Sequence, residues 1–144
     1  MPTKTVEESV AAVRTATPDT DVRICRRVEI GTVAAHQGDI YVHRVADDHP
    51  RGAKLGTRKL AIGQGEGSNH VADGDHVDVY DGTTLPQWVT ERAWMQPGCL
   101  LGRVVVARSE WCVGHTTHKS HALPAGTYQV TYQADRRTSQ RVQD

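Results

Sequence analysis

The spacing of apolar residues constrains this chain more than any other feature. From Val22 to Gln133 they recur at every second position, in short runs separated by turn-forming residues. Alternate side chains of an extended strand point to opposite faces, so such runs predict half-buried strands. Val22, Ile24, Val28 and Ile30 share one side of the first run, with Arg23, Arg27 and Glu29 opposite and Arg26 interrupting the inner face. After the Gln37-Gly38-Asp39 turn, Ile40, Val42 and Arg44 alternate with Tyr41, His43 and Val45. Val77 and Val79 alternate with Asp78 and Tyr80, and Tyr128, Val130 and Tyr132 with Thr127, Gln129 and Thr131. Leu101 to Ala107, apolar apart from Gly102 and Arg103, suits a central strand buried on both faces.

Two segments carry the helical period instead. Val6, Val10 and Val13 predict a helix over about residues 5–16, stopped at Thr17-Pro18-Asp19. Gln87 to Met95, between Pro86 and Gly98, could form a short second one. No repeat or linker divides the chain. The expectation is a single domain over 1–144, mainly β, a small antiparallel barrel or sandwich with a body over about 21–134 and a polar tail over 135–144.

At 144 residues a core needs no disulfide, but Phe is absent and Ile and Leu are sparse. The core must therefore use Val, Ala, Tyr and Trp, and homo-oligomerisation could supply further burial. Lys and Arg number 17, as do Asp and Glu, so no global field favours nucleic acid or an anionic membrane. Arg136, Arg137 and Arg141 read as a solvated terminus. Cys25, Cys99 and Cys112 are odd in number and form no C-x-x-C pair, which argues against a disulfide scaffold and suits a reducing, cytoplasmic setting. No run is long enough to span a membrane, and the N-terminus lacks a signal-peptide pattern.

Candidate metal ligands are concentrated between Trp111 and Ala122: Cys112, His115, His118 and His121, with Glu110 just before. Histidines spaced by three scatter over both faces of a strand, so the segment is expected to be a loop. Neutral imidazole is the commonest protein ligand for divalent transition metals, zinc above all, and three ligands plus one open position make a catalytic shell. His70 could join from a second loop, with Glu66 as ligand, orienting group or proton acceptor for a bound water. The bland alternative is solvated or strand-capping histidines, with Cys112 a small buried apolar residue. His36, His43, His49 and His76 are expected at the surface or a strand edge. Asp47-Asp48 and Asp73 with Asp75 read as turn formers, and no Ser-His-Asp or Cys-His order is readable.

Gly63, Gly65 and Gly67 alternate, which is neither a dinucleotide fingerprint nor a P-loop. They suit a bend or bulge. Ligand or nucleotide binding there, with only Arg58 and Lys59 nearby, is a third reading of function after metal binding and a non-catalytic interaction module anchored through Trp88 and Trp94. A core role is the alternative for Trp94 and Trp111.

Three of these segments together resemble a group of small, uncharacterised bacterial and phage-borne β-rich proteins. The group shares a Gln-Gly-Asp strand entry, a Gly-Glu turn followed by histidine, and His-x-x-His before Leu-Pro-x-Gly-x-Tyr. Here these are Gln37-Gly38-Asp39, Gly65-Glu66 with His70, and His118 to His121 running into Leu123-Pro124-Ala125-Gly126-Thr127-Tyr128, within about two thirds of the chain. Asn69 stands where the group usually has a second histidine. The resemblance implies that His70, His118 and His121 belong together, and it brings no known reaction.

Overall fold

The computed structural model describes residues 22–60, 70–90, 100–115 and 119–133. The expected helix over 5–16, the tail over 135–144, Glu66 with its glycine turn, Trp94, Cys99 and His118 lie outside them.

Among the described residues, ten strands form two sheets. In chain order they are β1 (Val22–Ile24), β2 (Val33–Gln37), β3 (Ile40–Val45), β4 (Arg51–Lys54), β5 (Val71–Asp73), β6 (Val77–Gly82), β7 (Leu101–Ala107), β8 (Trp111–Gly114), β9 (Ser120–Leu123) and β10 (Gly126–Tyr132). The larger sheet runs β2-β3-β10-β7-β6-β4 and the smaller β1-β9-β8-β5. The sheets are not closed into a barrel, and the architecture is a β sandwich. All pairings are antiparallel except β1 with β9.

The alternation read from the sequence sorts side chains between the layers. Ile40 and Val42 of β3, Val105 and Ala107 of β7, and Tyr128, Val130 and Tyr132 of β10 meet Trp111, Val113 and Leu123 of the smaller sheet in one buried cluster. Trp111 is wholly buried, and its ring lies 5.2 Å from that of Tyr128, joining the layers. β7 sits between β10 and β6, the central place its apolar run predicts.

The first predicted strand is shorter than expected. It ends at Ile24, because the chain leaves the edge of the smaller sheet once Cys25 has bonded to the Ala122 carbonyl. Helix begins after Pro86 at Gln87–Thr90, and the rest of the expected segment, up to Met95, lies outside the described residues. The segment expected to be a loop contains β8 and most of β9, and His121 is a strand residue with Val113 opposite. The strand displays His121 on the side of Leu123, while Ser120 and Ala122 face the other way. His36 is exposed and His49 and His76 are half-buried, but His43 is buried, contrary to expectation. It points away from the inter-sheet core, where Thr131 bonds Nε2 at 2.7 Å and the Trp88 indole N–H donates to Nδ1 at 3.3 Å.

Tyr128 gives the sandwich a pH-sensitive tie. Its hydroxyl donates to the Pro124 carbonyl at 2.7 Å, and burial pushes its pKa up from 10.0 to about 12. The folded state holds this proton more tightly than the unfolded chain, so the contribution is intact below pH 10 and is lost as pH rises towards 12. Two units correspond to about 2–3 kcal/mol. Tyr128→Phe is expected to cost about 1 kcal/mol at pH 8 and to show a shallower alkaline loss in urea unfolding. Parallel alkaline slopes for the two proteins would refute this.

Candidate functional site at one end of the sandwich

Three histidines reach the inter-sheet space from neighbouring strands of the smaller sheet. The β5–β8 register pairs Val71 with Gly114, so the residues just beyond, His70 and His115, are the next cross-strand neighbours. Their rings lie 4.4 Å apart between centroids, tilted by 47°. His121 projects on the same face as Val113 and Leu123. All three are buried, at 0, 4 and 5 % exposure for His70, His115 and His121.

The β2–β3 hairpin supplies the facing groups. Its two-residue turn, Gly38-Asp39, needs positive φ at the first position, and Gly38 adopts φ 57°. This sharp reversal brings the Gln37 and Asp39 side chains together around one ring. Gln37 Oε1 lies 2.9 Å from His70 Nδ1, and Asp39 Oδ1 lies 2.8 Å from Nε2. Gln37 is fixed in turn, because its amide donates to the Val113 carbonyl at 3.1 Å and the Lys119 carbonyl at 2.8 Å. With its N–H groups so used, it presents oxygen to the imidazole. Both nitrogens of His70 therefore face acceptors. Nδ1 faces the Gln37 oxygen and Nε2 the Asp39 carboxylate, which forms an ion pair with the ring when the imidazole is protonated. The His70 main chain is tied as well, its carbonyl accepting from Leu60 N at 2.9 Å.

His121 sits in a different environment. Burial, reinforced by the charge of Arg23, lowers its pKa below the ordinary 6.5, against a hydrogen bond to the His36 backbone that raises it. The ring is neutral at pH 7. One nitrogen is engaged by that main-chain bond, which fixes the ring in the way that supporting bonds orient metal-ligating histidines.

The arrangement thus unites His70, His115, Gln37 and Asp39 and places His121 on the same sheet face. Cys112 lies on the other face, packed with Ala122 and Val22. Among the described residues, no three His, Cys, Asp or Glu side chains are grouped to hold a metal ion. Trp88, expected as a surface anchor, is half-buried and bonded to His43. Gln37 and Asp39 were legible in the sequence only as a turn. Nothing in the residues themselves pointed further, because their role depends on where the folded hairpin sets them against His70.

Comparison with protein-family models, with curated proteins and with solved structures finds no match. No helix among the described residues is long and apolar enough to cross a membrane.

Proposed function

We propose that this chain is a transition-metal-binding β protein, with zinc the favoured ion, whose ligands are the imidazoles of the β8–β9 hairpin. His115 and His121 flank its turn, and His118, outside the described residues, lies between them. The observation that supports this most is the burial of His115, in ring contact with an imidazole locked by Asp39 and Gln37, together with that of His121 on the same sheet face. A neutral His121 has the protonation state that ligation requires. His70 then acts as an anchor, since both its nitrogens are engaged, and steadies His115 through ring contact. If the shell keeps an open position, a bound water near neutral pKa would give hydrolytic chemistry, with Glu66 the sequence-based candidate to take its proton.

Protein purified without a histidine tag tests this. At Zn2+ about a hundredfold above its dissociation constant, unfolding free energy is expected to rise by about 2–3 kcal/mol. The gain should vanish in His121→Ala and His118→Ala, each compared with its own metal-free form. Identical metal content and thermal shift in wild type and both variants would remove the proposal.

A further inference from the structure

On the outer face of the larger sheet, remote from the histidine cluster, a cavity of about 540 Å³ opens between two loops. That volume lies within the range of small-ligand sites. One wall is the turn after β3, with Val45, Asp48, His49 and Pro50, and the other is the stretch carrying Leu85, Pro86 and Trp88, with the exposed Ile30 at the margin.

The walls are held before any ligand arrives. The Trp88 indole is bonded to His43, and Val89 and Leu100 form a buried cluster against which Leu85 and Trp88 pack. His49 Nε2 lies 2.9 Å from Gln129 Oε1. Gln129 is wholly buried and donates its amide to the Gly102 carbonyl at 2.8 Å and the Val130 carbonyl at 2.9 Å, so it offers His49 only oxygen. Nε2 of His49 is therefore the donor in this bond.

Among the described residues, no Lys or Arg lines the cavity, and its ionisable side chains there are the Asp48 carboxylate and this imidazole; the largest ring among them is an indole, the best aromatic partner for a cation. We propose that the cavity binds a small organic ammonium ion with an apolar body, the charge shared between Asp48 and the face of Trp88 and the body resting on Val45, Leu85 and Pro50. Acceptors, an aromatic face and aliphatic walls complement such a cation and repel a carboxylate or phosphate.

Titration of the full chain with benzyltrimethylammonium, followed by 1H–15N correlation spectra, reads this directly. The expected result is saturable shifts at Val45, His49 and the Trp88 indole, with a dissociation constant on the order of a millimolar for so small a ligand. Benzyl alcohol should bind at least about fivefold more weakly, and benzoate should not compete. Asp48→Asn, on an exposed residue, should weaken the ammonium about fivefold while leaving the remaining spectrum unchanged. Trp88→Leu should remove the preference for the charged probe. Equal affinity for benzyl alcohol, an unaltered constant in Asp48→Asn, or shifts that never saturate would each overturn the assignment.

Discussion

Asp39→Ala is expected to destabilise the protein by about 3–5 kcal/mol, the cost of leaving one member of a buried ion pair without its partner. Asp39 is 1 % exposed and His70 fully buried, so water cannot replace the lost carboxylate. The bond between Nε2 and the carboxylate at 2.8 Å would be lost inside the protein. A double-mutant cycle separates this from simple loss of packing. If His70→Leu is already present, Asp39→Ala should cost at least about 1 kcal/mol less than it does alone. Additive losses, or a single-variant effect within about 0.5 kcal/mol of wild type, would show that the two side chains do not act as a unit.

The other large effect is expected at Gly82→Ala. A Cβ built on Gly82 would stand 1.8 Å from the Gly102 carbonyl oxygen, inside any permissible contact. The obstacle is main chain in the adjacent β7, and the same oxygen accepts from the buried Gln129 amide. Relief therefore requires β6 and β7 to separate and the Gln129 bond to be given up. A loss of about 3 kcal/mol or more is expected, at the upper end of overpacking costs. Gly56→Ala is the matched control, since a Cβ there meets nothing within 4 Å. Urea unfolding of both variants checks the pair, and equal midpoints would refute the steric account.

What the sequence made legible follows from which forces act locally. β3, β6, β7 and β10 carry clear patterns because one or both faces are buried along most of their length, and each appears where its pattern lies. β2, β4 and β5 went unread. They are 5, 4 and 3 residues long, and β4 is Arg-Gly-Ala-Lys, which pairs with β6 at the sheet margin without an apolar alternation to announce it. β9 was mistaken for a loop because polar Ser120 and His121 are both buried there, a choice made by the tertiary setting that composition cannot reveal. His43 was misjudged for the same reason, since its cover comes from Trp88, 45 positions away.

The histidine cluster was half legible. Density marked His115 and His121, and His70 was named as a further candidate from a second loop, but no single segment announces that Asp39 and Gln37 enclose the His70 ring. Oxygen acceptors on both sides of one imidazole are a property of the folded hairpin, where Gly38 turns the chain.

The bonds that hold this ring span 31 and 33 residues, and those that fix Gln37 span 76 and 82. Contacts this remote in sequence reward the chain only after the entropy of closing long loops has been lost. No hairpin or half-sandwich can assemble the cluster alone, so its formation should coincide with the slowest step of folding. An amide-exchange or fluorescence probe at His70 would then report commitment of the entire topology, and a truncated fragment would keep strands yet lack the site.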